Sequence, residues 1–197
     1  MTTLASTERL APRRAPRLIG DQTLAMVLFV FVEVMLFAGM ISGFLVVQSA
    51  VPASMWPPPD QPRLPLASTA LNSLALLGSG ATLALALRSF GTDRVRAGKL
   101  LSLTLGLGTF FVVFQGAEWA RLLAAGLTMT SSHLGSFFYL IIGCHALHAV
   151  AAIALLAARR AQLRRDRLGA DQFAAAGVFW GFVVLVWPVL YVVVYLG

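Results

Sequence analysis

Five long apolar runs restrict what this chain can fold into more than any other feature of its sequence. They lie at residues 24–47, 66–87, 100–125, 134–158 and 173–196. A helix that rises ~1.5 Å per residue needs about 20 residues to cross a hydrocarbon core of about 30 Å, and each run is long enough. The sequence therefore predicts an all-α membrane protein, a bundle of five transmembrane helices.

The positions of the basic residues predict how this bundle is oriented. All but two of them lie before the first run, between the second and third, or between the fourth and fifth: Arg9, Arg13, Arg14, Arg17, Arg88, Arg94, Arg96, Lys99, Arg159, Arg160, Arg164, Arg165 and Arg167. Arg63 and Arg121 fall on the other side. Because loops rich in Lys and Arg stay in the cytoplasm, we expect a cytoplasmic N-terminus and a C-terminus outside. This distribution accounts for the net charge of +7 without a nucleic-acid partner.

The N-terminal stretch is expected to be a cytoplasmic tail and not a cleavable signal peptide. The first apolar run is too long for a signal peptide, and it begins only after 20 residues that include arginine and proline. We therefore divide the chain into a tail, residues 1–20, and a single transmembrane domain, residues 21–197. The one cysteine, Cys144, lies in the middle of a run, where it is expected to act as a packing residue.

Ionisable side chains inside the apolar runs are the first candidates for function. Glu33 lies about 14 Å into the first run at ~1.5 Å per residue, and His148 lies at a similar depth in the fourth. Charged groups are costly at that depth, so they normally face protein and have a partner. We therefore predict a hydrogen bond or ion pair between Glu33 and His148, which His145, on the same helix face, could share. A neutral Glu33 that ties two helices together would explain its position equally well.

The third run carries a second candidate group. Gln115 and Glu118 follow Thr104, Gly108 and Phe111 at helical spacing, which predicts that both side chains point into the bundle. Arg121 follows Glu118 at i+3, so an ion pair at the membrane boundary is the alternative to a functional role.

Other residues are predicted to pack helices or to mark the membrane interface. A stripe of small and polar residues in the second run predicts contact with other helices: Ser68, Asn72, Ala75, Ser79 and Thr82. Gly39 and Gly43 have the spacing that lets another helix approach closely. Trp56, in a proline-rich loop, fits an interfacial anchor, and we assign Trp119 and Arg121 to the lipid interface as well.

The chemistry of these residues does not favour a metal site. Glutamate and two histidines suit iron, zinc or manganese. Di-iron helical bundles, however, need paired Glu-x-x-His motifs, and Glu118 is followed at that offset by Arg121. His145 and His148 share one helix, whereas bis-histidine haem ligation normally takes its ligands from different helices. Two interpretations remain: a non-catalytic subunit of a redox complex, or a small transporter with a proton relay, although no repeat typical of transporters is visible.

Several short motifs follow one another along the chain. They are Phe31–Ala38, Trp56–Pro58, Leu71–Ser73, Gly108–Phe110, Phe114–Gln115, Glu118–Trp119, Phe138–Tyr139 and Gly143–His148. In their order and spacing, residues 21–197 resemble subunit III of haem-copper terminal oxidases, in a short form with five helices instead of seven. The last motif looks like the Gly-x-His-Gly-x-His pattern of that family.

This resemblance implies a non-catalytic subunit III of a respiratory oxygen reductase of the cytochrome c oxidase type. Such a subunit would pack on subunit I, which carries the haem and copper, in the bacterial cytoplasmic membrane. It would bind no cofactor of its own except phospholipid, and it would support proton uptake and enzyme stability during electron transport. The residues carried over from the family are Glu33, Gln115, Glu118, His145 and His148. An accessory subunit of a nitric oxide reductase or a quinol oxidase remains an alternative.

The chain departs from the family pattern at two places. The family usually has Trp-His-Phe-Val-Asp near its C-terminus, whereas this chain has Gly181 and Val184 at the histidine and aspartate positions. Trp119 stands where a tyrosine is usual. These differences indicate a divergent branch, and they put in doubt any role that the family assigns to the missing pair.

Overall fold

The helical bundle is seen in a computed structural model that describes residues 19–52, 62–130 and 132–196, so Trp56 lies outside the described residues. Its helices are α1 (Asp21–Ser49), α2 (Leu66–Ser89), α3 (Arg94–Ala124), α4 (His133–Arg164) and α5 (Ala170–Leu190), and a π-helical turn follows at Tyr191–Leu196. All five α-helices are long and apolar enough to cross a membrane, and the described part of the chain contains no strand. The predicted fold class is confirmed.

The helices continue past the apolar runs at the ends that carry basic residues. α3 begins at Arg94 and α4 continues to Arg164. Arginine is a good helix former, and its long apolar stem can lie along the bundle while its charge reaches water. The starts of α3 and α4 are fixed by caps: the side chain of Asp93 accepts a hydrogen bond from the backbone of Arg96, and the Ser132 hydroxyl accepts one from the backbone of Gly135.

Two cross-helix contacts show which segments meet at one end of the bundle. The Asp171 carboxylate, at the start of α5, accepts hydrogen bonds from the backbone N–H groups of Gln22 and Thr23, at 3.0 and 3.1 Å. Arg94, after the α2–α3 turn, pairs with Asp166, in the α4–α5 turn. We call this end the basic end, because Arg88 and Arg94 flank the first turn and Arg165 and Arg167 lie in the second. That it faces the cytoplasm stays a prediction.

The core lies around α5. In the most apolar stretch of α5 and the turn after it, 44% of the residues are buried, whereas in that of α1 only 6% are. Helix α1 packs at the edge of the bundle against α5 and α4. Trp180 and Trp187 are fully buried, and their indole N–H groups donate to Ser79 and Ser73 of α2, at 3.1 and 2.7 Å. The small polar stripe of α2 therefore faces other helices, as predicted.

Within the described residues another helix approaches closely at Gly43 but not at Gly39. A methyl group at Gly39 would meet no atom of the described chain within 4 Å, whereas at Gly43 it would meet the Phe137 ring at 3.5 Å. The physical reason is that α1 is an edge helix, so the Gly39 face has no neighbour within this part of the chain. Closer packing on a glycine is found inside the bundle, where a methyl group at Gly108 would lie 2.7 Å from the Trp180 ring.

Candidate functional site

Glu33 and His148 are joined between α1 and α4. His148 Nε2 lies 3.0 Å from Glu33 Oε2, and the two side chains are 12% and 14% exposed. The hydrogen bond predicted from their depth in the sequence is therefore present. Helix α1 presents Glu33 towards α4 because Glu33 and Phe37 lie one turn apart, and Phe37 is buried against the His148 ring.

The second ring nitrogen of His148 restricts where the proton of this pair can lie. His148 Nδ1 is 2.8 Å from the carbonyl oxygen of Cys144. A carbonyl can only accept, so Nδ1 must carry a hydrogen. The contact between Nε2 and the carboxylate then needs one more proton, held either by Glu33 in a neutral pair or by His148 in an ion pair. The geometry thus makes Glu33 and His148 a unit that shares a proton.

Aromatic rings surround this unit. The rings of Phe37, Phe179 and Phe182 have their centroids 5.6, 6.1 and 5.9 Å from that of His148. An apolar surrounding penalises an isolated charge, which favours keeping the carboxyl group and the imidazole paired.

His145 does not share the proton, contrary to the alternative considered from the sequence. It is 2% exposed and lies beside the Trp187 ring, with centroids 5.1 Å apart. No hydrogen bond joins it to Glu33 or to any other residue in the described ranges, and its Nε2 is buried without a partner. Its ring contacts α1 only through Phe37, with centroids 6.4 Å apart, and lies closer to Trp187 of α5.

A second polar group joins α2, α3 and the π-helical turn. The Asn72 side-chain amide donates to the Phe111 carbonyl at 3.1 Å and to Gln115 Oε1 at 3.4 Å. Gln115 Nε2 lies 3.0 Å from the Tyr195 hydroxyl. We call Asn72, Gln115 and Tyr195 the amide belt. The predicted inward orientation of Gln115 is confirmed, but sequence reasoning treated Asn72 as a packing residue and missed Tyr195.

Glu118 is buried and pairs with Arg121. Arg121 Nη1 donates to Glu118 Oε1 at 2.8 Å, and the Arg121 side chain is 74% exposed. This is the boundary ion pair that the i+3 spacing predicted. It lies towards the end of the bundle away from the basic end, so Glu118 and Glu33 belong to separate groups.

Trp119 lies between α3 and α4. Its ring packs against Phe138 and Tyr139, with centroids 6.3 and 5.9 Å away, and reaches Gly143. Its indole N–H is buried and has no hydrogen-bond partner among the described residues. A role for Trp119 and Arg121 at the lipid interface stays a prediction.

The two positions that depart from the family pattern are apolar in the structure. A methyl group at Gly181 would meet no atom of the described residues within 4 Å. Val184 is buried and packs against Gly80 of α2. An ionised aspartate at this buried position would be costly unless it had a polar partner.

The described residues contain no group of three or more His, Cys, Asp or Glu side chains that could hold a metal ion. The unit formed by Glu33 and His148 offers only two such groups. The arrangement can hold and pass a proton.

Comparison with known proteins agrees with the geometry. A family model described as "Cytochrome c oxidase subunit III" matches residues 17–197. The chain is 30% identical to "Cytochrome c oxidase subunit 3" of Synechocystis sp., over 86% of this chain and 73% of the relative. It is 30% identical to "Probable cytochrome c oxidase subunit 3" of Mycobacterium leprae, over 97% and 94%. The identity to "Cytochrome c oxidase subunit 3" of Sus scrofa is 32%, over 86% and 67%.

Proposed function

This chain belongs to the cytochrome c oxidase subunit III family, and from that premise we propose how it acts within the oxidase. It is subunit III of a haem-copper oxidase, a multi-pass membrane protein that associates with other oxidase subunits. Our proposal is that it packs on subunit I in the bacterial cytoplasmic membrane with its basic end in the cytoplasm. Subunit I would hold the haem and copper, and this chain would have no catalytic centre of its own.

The observation that carries the functional part of this proposal is the shared proton of Glu33 and His148. A unit that holds a single proton can accept a second one on the carboxylate or the imidazole, or release the one it holds. Its side chains keep 12–14% of their surface exposed at the edge of the bundle, where a partner can reach them. We infer that the unit buffers protons beside the uptake route of the oxidase and so sustains turnover.

A bound phospholipid fits the groove between α1 and α5. The groove has a volume of about 490 Å³, and its lining includes Val34, Ile41, Phe182 and Val189. These side chains match acyl chains, and the arginines of the basic end suit a lipid phosphate. Lipid held in this groove would support the edge helix α1, which has few buried residues of its own.

Purification through a tag on the N-terminus, in mild detergent and followed by a visible spectrum, tests this role. We expect haem and a large many-helix partner to co-purify with the chain. The haem type and the companion subunits then identify the electron donor. We propose that the donor is cytochrome c. A quinol oxidase or a nitric oxide reductase would co-purify with different companion subunits. A stable, haem-free homo-oligomer would contradict the proposal, and proton flux into liposomes would then test the transporter alternative.

A further inference from the structure

We propose that a cavity between α3, α4 and α5 is a dry binding site for a small apolar molecule of the size of dioxygen or xenon. The cavity has a volume of about 170 Å³, and Trp187 of α5, which is fully buried, lines its inner end. Dioxygen is the molecule of this class that an oxidase consumes. The choice of dioxygen therefore rests on the proposed function, whereas the site itself does not.

The lining of the cavity is almost wholly apolar. It includes Phe111, Val112, Ile142, Ala146 and Ala149, and no Asp, Glu, Lys or Arg is found among the described residues around it. A water molecule in such a space would lose hydrogen bonds and gain none in return. An engineered apolar cavity of about 150 Å³ in another protein stays free of water and takes up xenon or benzene, and a small apolar guest is expected here for the same reason.

The polar side chains beside the cavity do not change this expectation. The Gln115 amide is already bonded to Asn72 and Tyr195. Trp119 Nε1 and His145 Nε2 are buried, so neither nitrogen opens onto the cavity. A guest therefore needs neither a donor nor an acceptor to fit.

The walls of the cavity are held in place by contacts outside it. The Trp187 indole donates to Ser73 of α2 at 2.7 Å, and its ring packs on Phe111 with centroids 4.9 Å apart. The Trp119 ring packs against Phe138, with centroids 6.3 Å apart. Protein interiors leave few voids larger than a water molecule, so a space of this size between fixed aromatic rings is suited to hold a guest.

Small residues form the rim of the cavity on the outside of the bundle. Gly116 of α3 is exposed, and Val112 of α3 and Ala146 of α4 are half-buried. A methyl group at Gly116 would meet no described atom within 4 Å, so the chain leaves room on this side. An apolar molecule is favoured in hydrocarbon over water, and the bilayer can therefore supply it directly.

The size of the cavity favours a compact guest over an acyl chain. The groove between α1 and α5, in which we place a phospholipid, has a volume of about 490 Å³, against about 170 Å³ here. An acyl chain would have to become ordered to enter the smaller space, which costs conformational freedom. A xenon atom or a diatomic molecule has no such freedom to lose.

Crystals of the chain with its native companions, pressurised with xenon, test the site. We expect an anomalous xenon peak in the cavity. No peak there in crystals that bind xenon elsewhere would overturn the proposal, and so would water or a continuous acyl chain in the cavity of crystals without added gas. Crystals pressurised with dioxygen should show diatomic density at the same place, and xenon binding without dioxygen binding would overturn the choice of dioxygen.

Two pairs of variants test whether the cavity itself binds the gas. Ala146→Leu fills the cavity and should abolish the xenon peak, whereas Ala151→Leu, on the exposed face of the same helix, should keep it. Gly116→Leu, at a rim position with room for a side chain, covers the case in which Ala146→Leu fails to assemble. Gly106→Leu, where a methyl group also meets no described atom within 4 Å, is its control. A peak that persists in both Ala146→Leu and Gly116→Leu would overturn the proposal.

Failure of this site and failure of the proposed function give different results. An oxidase with haem but without the xenon peak would keep the function and overturn the site. A haem-free preparation with the xenon peak would keep the site and remove the reason for choosing dioxygen.

Discussion

The His148 imidazole lies 3.0 Å from the Glu33 carboxylate and joins α4 to α1, the helix with the fewest buried residues. The Cys144 carbonyl lies 2.8 Å from the other ring nitrogen, so a contact within α4 also orients the imidazole. An imidazole held from both sides gives the edge helix α1 a polar partner with a defined orientation.

Glu33→Gln should slow sustained proton uptake or shorten the active lifetime of the oxidase while leaving its haem content unchanged. The glutamine can still hydrogen-bond to His148, so the bundle is expected to fold, but the amide does not titrate. Proton uptake and turnover of the purified oxidase in liposomes measure the first effect, and a visible spectrum measures the second. Loss of haem in this variant would show that Glu33 has a different role.

Further variants separate the effect of the shared proton from the effect of packing. His148→Gln should reproduce the effect of Glu33→Gln, and the double variant should be no worse than either, because the two residues act as one unit. His133→Gln, at the exposed first residue of α4, should behave like the wild type. Additive losses in the double variant would contradict a shared proton.

Asp171→Ala should loosen α1 at the basic end. Asp171 accepts the backbone N–H groups of Gln22 and Thr23, which are free donors at the start of α1, and so it caps that helix from α5. The loss of a helix cap is destabilising, so we expect a lower melting temperature for the purified chain or complex. Faster amide hydrogen exchange confined to the first turns of α1 would locate the effect.

Gly20 provides a second test of the same contact. A methyl group at Gly20 would overlap the Asp171 carboxylate, whereas one at Gly91 would meet no described atom within 4 Å. Gly20→Ala should therefore be destabilising, and Gly91→Ala, at the same end of the bundle, should not. Equal melting temperatures for the two variants would mean that Asp171 moves aside at no cost.

Much of the fold and part of the site follow from local sequence patterns. The five helices follow from the length of the apolar runs. The bond between Glu33 and His148 follows from their similar depth, because ionisable side chains inside a membrane generally pair with one another. The pairing of Glu118 with Arg121 follows from a spacing within one helix.

Contacts that depend on helix rotation could not be predicted in the same way. The sequence shows that His145 and His148 share a helix face, but only the packing of α4 decides which ring reaches α1. The spacing of Gly39 and Gly43 allows a close helix at both, yet α1 lies at the edge and only Gly43 meets one within the described residues. Tyr195 meets Gln115 only because the π-helical turn places its hydroxyl there.

Gly108→Ala should destabilise the core. The added methyl carbon would lie 2.7 Å from the Trp180 ring, which is fully buried and bonded to Ser79, so the ring has little freedom to move. Overpacking of this kind costs about 1–3 kcal/mol. Gly106→Ala is the control, since a methyl group there meets no described atom within 4 Å. Thermal unfolding should separate the two variants, and an unchanged Gly108→Ala melting temperature would show that Trp180 can shift.

The two tyrosines of the π-helical turn offer a matched test of the amide belt. Tyr195 is 6% exposed and its hydroxyl accepts from Gln115, whereas the Tyr191 hydroxyl, at the exposed end of the bundle, donates to the Leu66 carbonyl. Tyr195→Phe leaves a buried amide donor without an acceptor, at a cost of about 1–2 kcal/mol. In Tyr191→Phe, water at the exposed end can replace the lost donor, so its melting temperature should stay near that of the wild type.

A double variant at Gln115 and Tyr195 distinguishes the cost of an unsatisfied donor from that of a general loss of packing. Gln115→Leu removes the amide whose donor faces the Tyr195 hydroxyl. If the cost of Tyr195→Phe comes from the unpaired donor, then Tyr195→Phe should cost much less in a Gln115→Leu background, since no amide donor is left unpaired. Melting temperatures of the two single variants and the double variant give this coupling directly. Strictly additive losses would mean that the hydroxyl acts through packing, and the amide belt would then not stabilise this part of the bundle through its hydrogen bonds.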